Sequence, residues 1–347
     1  MTGNIITCDV FCAVVDNYGD IGVCWRMARQ LAYEHGVAVR LWVDDLASFK
    51  KLCPEVDASL AQQRCREVEV CLWSKPFPEV KPAQLVIEAF ACELPESYIT
   101  SMAQLKHKPV WLNLEYLSAE DWVEDCHKLP SPHPRLPLVK YFFFPGFTAK
   151  TGGLLLERDL LARRDAFQND AMTQDEYWHG LGVPLRQEDE LRVSLFSYEN
   201  EVLHTLLATW AQSAVPVTCL VPQGRVLPQV AAFFGRELMS GEVAQLSALR
   251  VHVLPFVEQE NYDPLLWACD INFVRGEDTC VRAQWAGKPL VWHIYPQHDG
   301  VHMQKLRAMS GLYGSALSPQ AAQANEVLWQ AWSGAGCLLY TSPSPRD

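Results

Sequence analysis

The chain is poor in basic residues and has no long apolar segment. It contains 29 Lys and Arg residues against 41 Asp and Glu residues, so its formal net charge is −12 at pH 7. Proteins that bind nucleic acid need clustered positive charge, and this composition argues against that class. A membrane-spanning helix needs about 20 consecutive apolar residues, and no apolar run approaches that length. We therefore expect neither a nucleic-acid partner nor a membrane partner.

The 12 cysteines include no Cys-x-x-Cys pair, which is the spacing of many zinc and redox sites. Several lie in apolar runs, where cysteine behaves as a small apolar residue; these are Cys12, Cys71, Cys219 and Cys269. The first residues lack a basic segment ahead of an apolar one, so no secretory signal is expected. Together these features predict a reduced, cytoplasmic protein without a metal site.

A chain of 347 residues is long enough for two domains. In both halves short apolar runs alternate with helical patterns, which is typical of parallel sheets connected by helices. A charged helical passage ends at Gly182, and we place the domain boundary there. The predicted fold is α/β, with two facing, doubly wound, Rossmann-like domains (residues 1–182 and 183–336) and a cleft between them. Neither half contains Gly-x-Gly-x-x-Gly, which argues against a dinucleotide enzyme.

Two segments depart from this alternation. Residues 129–137 are rich in proline and are expected to form an irregular surface loop. Residues 337–347 contain Ser and Pro but have neither a helical nor a strand pattern, and we interpret them as a non-native cloning tail.

A polar turn with two carboxylates follows the first predicted strand. The turn is Asp16-Asn17-Tyr18-Gly19-Asp20, and Gly22 comes shortly after it. Two glycines this close allow a sharp turn and a near approach of the backbone to a ligand. In open α/β sheets, ligands bind beyond the carboxyl ends of the strands, where this turn lies. Asp16 and Asp20 are candidate functional carboxylates, unless they only form the turn and cap the next helix.

A second polar turn follows the apolar run at residues 271–274. It consists of Arg275-Gly276-Glu277-Asp278-Thr279 and leads into a helix that ends at Gly287. Helix N-termini carry unpaired N–H groups and a partial positive charge, which makes such turns suitable phosphate sites. Asp278 or Thr279 can cap this helix. The alternative interpretation is a capped helix with solvated charges.

These segments resemble the bacterial protein-arginine rhamnosyltransferases (EarP) that modify translation elongation factor P, within the GT-B class of glycosyltransferases. The resemblance runs from residue 5 to about residue 335. It is carried by residues 11–22 with their Asp-Asn-Tyr-Gly-Asp core, Phe196-Ser-Tyr198-Glu-Asn200, residues 254–259 and residues 273–290. Thr279 stands where serine is expected, which preserves the hydroxyl.

The resemblance implies inverting transfer of L-rhamnose from dTDP-β-L-rhamnose to an arginine side chain of elongation factor P. A guanidinium, with a pKa above about 12, is a poor nucleophile, so its attack needs a carboxylate to accept a proton. In the family, Asp20 matches the position of this base. Asp16 would orient the acceptor, and Glu277 matches an essential residue that binds sugar or ribose hydroxyls or orients Arg275.

The remaining site residues follow from the same resemblance. Arg275 and the N–H groups at the start of the helix that begins near Thr279 would stabilise the diphosphate leaving group. Asp-x-Asp, the metal–diphosphate clamp of the other major glycosyltransferase class, does not occur, so the site is expected to use no metal and no cofactor. The other expected substrate-binding residues are Asn17, Tyr18, Gly19, Phe196, Tyr198, Phe256, Val257, Glu258, Gln259, Gly276, Asp278 and Thr279.

Several alternatives stay open. Tyr198 could reach a phosphate or be an ordinary tyrosine at a strand end. Phe256 and Gln259 could contact thymine, or they could pack in the core and cap a helix. The chain as a whole could use another nucleotide sugar, as a GT-B transferase or an epimerase. It could also bind a nucleotide or elongation factor P without catalysis.

Overall fold

In the computed structural model, residues 5–15, 18–296 and 300–335 are described. The chain divides into two compact units, Met1–Arg158 and Asp159–Asp347. No helix in the described ranges is both long and apolar enough to cross a membrane. The non-native tail predicted at residues 337–347 lies outside the described residues.

Unit 1 contains an eight-stranded sheet. Its strands are β1 (Thr7–Cys12), β2 (Ala38–Val43), β3 (Gln62–Cys65), β4 (Val68–Leu72), β5 (Leu85–Ala89), β6 (Val110–Leu114), β7 (Pro130–Pro132) and β8 (Val139–Phe143). Its helices are α1 (Gly19–His35), α2 (Leu46–Leu52), α3 (Glu96–Gln104) and α4 (Trp122–Cys126). The strand order is β3-β4-β2-β1-β5-β6-β8-β7, so the direction of winding reverses between β1 and β5.

The two faces of β1 belong to different apolar cores, because successive side chains of a strand point to opposite faces. Val10 packs in a core with Trp25 of α1 and Phe49 of α2, whose rings lie 5.0 Å apart. Phe11 packs in a second core with Tyr98 of α3, at 4.8 Å between ring centres. Helices therefore cover both faces of the sheet, as the doubly wound prediction requires.

Asp9, which precedes Val10 on β1, is a fully buried carboxylate with many partners. It accepts hydrogen bonds from Arg40 Nε at 2.6 Å and Arg40 Nη2 at 2.7 Å. It also accepts from the N–H of Ala83 at 3.1 Å, from the indole N–H of Trp42 at 3.4 Å and from the Tyr98 hydroxyl. A buried charge is tolerated when it is paired and hydrogen-bonded in this way, so Asp9 is a structural residue of unit 1.

Unit 2 contains a six-stranded sheet. Its strands are β9 (Leu191–Leu195), β10 (Val217–Pro222), β11 (Val243–Leu246), β12 (Leu249–Leu254), β13 (Ile271–Arg275) and β14 (Leu290–His293). Its helices are α5 (Leu160–Gln168), α6 (Ala171–Gly180), α7 (Leu203–Ala211), α8 (Leu227–Phe234), α9 (Gln259–Ala268), α10 (Glu277–Ala286), α11 (His302–Gly314) and α12 (Pro319–Trp332). The order is β11-β12-β10-β9-β13-β14, and the winding reverses between β9 and β13. Two successive Rossmann-like units confirm the predicted α/β fold.

Helices α5 and α6 belong to unit 2, which corrects the domain boundary predicted at residue 182. Arg164 donates a hydrogen bond to the carbonyl of Trp285 at 2.8 Å. Gln168 donates to the carbonyls of Trp267 at 3.1 Å and Ala286 at 3.0 Å. The charged and polar side chains that suggested a passage between domains instead bind the C-terminal carbonyls of α9 and α10.

Three short edge strands, β3, β7 and β11, were not predicted, and each pairs antiparallel with its neighbour. β7 lies inside the proline-rich segment 129–137, which was expected to be irregular. Proline is tolerated at a sheet edge because its missing N–H group is not needed for pairing on the open side. The parallel centre of each sheet is unaffected by these additions.

Candidate active site

Asp20 lies in the first turn of α1, next to the point where the winding of the first sheet reverses. It is 3% exposed. Its Oδ2 accepts a hydrogen bond from the N–H of Val15 at 3.1 Å, and its Oδ1 accepts one from the Tyr116 hydroxyl at 3.2 Å. Asp20 does not occupy the N-cap position of α1, which is Tyr18. The partial positive charge of the helix N-terminus favours a negative carboxylate here.

Tyr116 was missed by the sequence analysis. It follows β6, and its ring stacks on that of Phe90, which follows β5, with 4.4 Å between ring centres and 17° between planes. Phe90 has a φ of 56°, a strained value for a residue with a side chain. Because β1, β5 and β6 are parallel neighbours, their carboxyl ends bring Asp20, Phe90 and Tyr116 to one edge. An aromatic residue just after each of two predicted strands was the available signal.

The rest of the predicted polar turn, residues 16–19, is only partly described. Tyr18 accepts a hydrogen bond from the N–H of Gly22 through its carbonyl at 2.9 Å, and Gly19 is the first residue of α1. The ammonium group of Lys51 lies 5.9 Å from the centre of the Tyr18 ring. The predicted site residues Asp16 and Asn17 lie outside the described residues.

In unit 2, Arg275 is the last residue of β13 and is only 6% exposed. Its guanidinium carbon lies 4.6 Å from the ring centre of Phe196 and 4.7 Å from that of Tyr198. These two predicted residues follow β9, the neighbour of β13. Among the described residues, Arg275 Nη1 has no hydrogen-bond partner. A buried guanidinium that contacts two aromatic rings and has an N–H group without a hydrogen-bond partner among the described residues can donate to an anionic ligand.

His293 of β14 is in register with Arg275, and its ring lies 5.2 Å from that of Tyr198. The sequence analysis assigned it no role. Burial, and after it the positive charge of Arg275, lowers the pKa of His293 to about 3. The imidazole is therefore neutral at neutral pH and places no second positive charge beside Arg275.

Gly276 is the N-cap residue of α10, so the helix begins earlier than the predicted caps Asp278 and Thr279. Its φ of 67° and ψ of −174° form a combination that is essentially restricted to glycine. The Thr279 hydroxyl donates instead to the carbonyl of Arg275. Since Gly276 has no side chain to cap α10, no N-cap side chain competes with a ligand such as phosphate for the first N–H groups of the helix.

The predicted segments 256–259 and 275–279 meet in the structure. Gln259, the first residue of α9, donates from Nε2 to Asp278 Oδ2 at 3.0 Å. Phe256, Val257 and Glu258 are partly buried in the loop that leads into α9. Asp278 therefore links α10 to the start of α9 and does not occupy the N-cap position of its own helix.

Glu277, the first residue of α10, forms an ion pair with Lys305 of α11 at 2.8 Å between Oε1 and Nζ. The side chains are 16% and 20% exposed, respectively. Sequence reasoning did not single out Lys305, because nothing in its local sequence marks it as a partner of α10.

Comparisons with known proteins identify the family of this chain. The model described as Elongation-Factor P (EF-P) rhamnosyltransferase EarP matches residues 8–343. A protein-arginine rhamnosyltransferase from Pseudomonas putida is 54% identical over 328 residues, which cover 94% of this chain and 86% of that protein. One from Pseudomonas aeruginosa is 51% identical over 331 residues, covering 95% and 88%.

A solved structure agrees with these matches. It is described as the structural basis for EarP-mediated arginine glycosylation of translation elongation factor EF-P. It is 40% identical to this chain, with a TM-score of 0.65, and the match covers 94% of this chain and 84% of that one. The two Rossmann-like units fit the GT-B class expected from the sequence. The chain therefore belongs to the EF-P rhamnosyltransferase (EarP) family.

Proposed function

We propose that this protein is a protein-arginine rhamnosyltransferase that moves L-rhamnose from dTDP-β-L-rhamnose to an arginine of translation elongation factor P, with inversion. The observation that carries the proposal is Arg275, which is buried against Phe196 and Tyr198 and immediately precedes the N-cap of α10. In a member of this family, such an arrangement suits the diphosphate of a nucleotide sugar.

Unit 2 holds the donor in this proposal. Negative charge grows on the diphosphate as the bond to the sugar breaks, and preorganised donors stabilise that charge in the transition state. Arg275 offers its guanidinium, and α10 offers the N–H groups of its first turn. Phe256 would stack on thymine, and Gln259 would bind an edge of the base. No metal ion is required for this step.

Unit 1 provides the base in this proposal. The guanidinium of the acceptor keeps its lone pairs delocalised, so a carboxylate must orient it and accept a proton during attack. An acceptor nitrogen forms a bond to the sugar C1 while the bond from C1 to the phosphate oxygen breaks. The proton passes from that nitrogen to Asp20, and dTDP leaves with the electron pair. The glycosylated guanidinium keeps its positive charge, which Asp16 would help to balance.

A single displacement of this kind inverts the configuration at C1, because the acceptor attacks opposite the leaving group. Asp20 acts as a base and forms no covalent bond to the sugar. A translation factor as the acceptor also implies that the reaction takes place in the cytoplasm.

The direct test is intact-mass analysis of elongation factor P after incubation with the protein and dTDP-β-L-rhamnose. We expect a gain of one deoxyhexose, located on an arginine by peptide fragmentation. UDP-glucose serves as the control donor and should give no gain. An unmodified acceptor, or equal transfer from UDP-glucose, would contradict the proposed activity.

A further inference from the structure

We propose that Lys305 positions Glu277 and keeps its negative charge compatible with a bound diphosphate. This inference rests on the proposed function, since it concerns the donor site of that reaction. It assigns a role to α11, the helix that follows β14, which neither the motifs nor the predicted site residues include.

With a diphosphate bound at the start of α10, the negative charge of Glu277 would be unfavourable unless another group compensates for it. It is the first residue of α10 and lies two residues after Arg275. A carboxylate at a helix N-terminus competes with phosphate for the same partial positive charge. Two negative groups close together repel each other strongly where water is scarce. A cation paired with Glu277 would therefore favour donor binding.

Lys305 is such a cation. Its Nζ lies 2.8 Å from Glu277 Oε1, and the pair is mostly shielded, with side-chain exposures of 20% and 16%. The helix that carries it is anchored, because Leu306 is fully buried and Met309 is 3% exposed. Ion pairs on an open surface contribute little to stability, but shielding from water strengthens this one. The pair therefore both offsets the charge of Glu277 and fixes the orientation of its carboxylate.

The chain topology explains why Lys305 is the residue that reaches Glu277. Strands β13 and β14 are parallel neighbours, and each is followed by a helix that starts at the same sheet edge. Glu277 begins the first helix, and Lys305 lies in the first turn of the second. One βα unit therefore supplies the carboxylate and the next supplies its counter-ion.

The test is a double-mutant cycle on donor affinity, with Lys305→Met, Glu277→Gln and the double variant. Calorimetry would measure the dissociation constants of dTDP-β-L-rhamnose and dTDP, and steady-state assays the donor KM. We expect Lys305→Met to weaken donor binding by about tenfold or more, as for loss of a charge-assisted contact. In the Glu277→Gln background the same change should have little effect, because no carboxylate remains to be held. Lys305→Arg should restore most of the affinity, since it keeps the charge.

Lys140→Met is a matched control in unit 1. Lys140 pairs with Glu88 at 3.1 Å and is 22% exposed, so it is a comparably shielded lysine in another ion pair. Its loss should change the thermal midpoint but not the affinity for the donor. If Lys305→Met fails to fold, Lys305→Gln provides a second neutral variant.

Two results would overturn the inference: unchanged donor affinity in Lys305→Met, or an equal loss of affinity in both backgrounds. The second result would mean that Lys305 contacts the donor directly and does not act through Glu277. Failure of the proposed function looks different, because the wild-type protein would then leave elongation factor P unmodified. The coupling between Lys305 and Glu277 can still be measured with dTDP alone.

Discussion

The guanidinium carbon of Arg275 lies over the ring of Tyr198, 4.7 Å from its centre. Tyr198 is in turn contacted by the neutral ring of His293 at 5.2 Å. These aromatic contacts hold the cation in place, while its Nη1 has no hydrogen-bond partner among the described residues. A planar side chain is needed for this arrangement, and lysine is not equivalent to it.

Arg275→Lys should therefore weaken binding of dTDP-β-L-rhamnose, even though it keeps the charge. The loss expected for a charge-assisted contact is about 1.5–3 kcal/mol, which calorimetry can measure. Arg192→Lys is the control. The guanidinium carbon of Arg192 also lies over an aromatic ring, 4.5 Å from the centre of Trp178, but Arg192 is not among the proposed donor-binding residues. Equal donor affinity in wild type and Arg275→Lys would contradict the phosphate role.

Asp20→Asn should abolish most turnover while leaving donor affinity nearly unchanged, because it removes a proton acceptor and little volume. Loss of a general base costs about 10²–10⁴-fold in rate. Asp44→Asn is a suitable control. Asp44 accepts a hydrogen bond from the N–H of Val14, which lies in the loop that leads into α1, and asparagine can still accept it. If the Asp20→Asn variant keeps half of the wild-type turnover, Asp20 is not the base.

Tyr116→Phe should lower kcat without changing the donor KM. The substitution removes the hydroxyl that donates to Asp20 and preserves the ring that stacks on Phe90. We expect about a tenfold effect, the equivalent of one hydrogen bond to a charged group. Tyr116→Leu, which also removes the stacking, should in addition lower the thermal midpoint. An unchanged kcat in Tyr116→Phe would show that the hydroxyl does not orient the base.

Acidification should destabilise the protein in part through His293. Its pKa is about 3 in the folded state, mainly because of burial, and about 6.5 in the unfolded state. Between these values the unfolded chain binds the additional proton, so stability falls as pH falls below about 6.5, by about 1.4 kcal/mol per pH unit. Denaturant unfolding at pH values of about 7.5 and 5.5, on either side of that unfolded-state pKa, should show a smaller difference for His293→Gln than for the wild type. The same difference in both would contradict a neutral, buried His293.

Activity should survive treatment with EDTA. The chain has no Asp-x-Asp motif, and Arg275 with the start of α10 provides positive charge for the diphosphate. The measurement is turnover on elongation factor P before and after chelation, with Mg²⁺ and Mn²⁺ added back. Loss of turnover that either ion restores would disprove the prediction.

The central strands were predictable because each is a short, mostly apolar run followed by polar residues or glycine. β2, β4 and β6 are examples of the short apolar runs whose alternation with helical patterns the sequence shows. The start of α10 was not predictable from the sequence, because Gly276 occupies the N-cap position through its backbone conformation and has no capping side chain. Patterns of short antiparallel edge strands such as β11 are too weak to distinguish from loops.

Site residues were predictable where a motif contained them and missed where only the fold brings them together. Asp20 and Arg275 lie in recognisable segments at the ends of strands. Tyr116 reaches Asp20 only because β6 lies two strands from β1, and Lys305 reaches Glu277 only because β14 is next to β13. Strand order is a tertiary property that spacing along the chain does not encode.

Asp9 and Asp20 lie close together in the sequence, yet we expect their substitution to affect the cell in different ways. Breaking a buried ion pair such as that between Asp9 and Arg40 costs about 3–5 kcal/mol, and a loss of this size lowers the amount of folded protein through proteolysis and aggregation. A genetic screen for unmodified elongation factor P would recover both aspartates as inactive. Measuring the abundance of the enzyme in each strain distinguishes the two variants. We expect Asp9→Asn to lower the amount of folded enzyme, and Asp20→Asn to lower the turnover rate of each enzyme molecule.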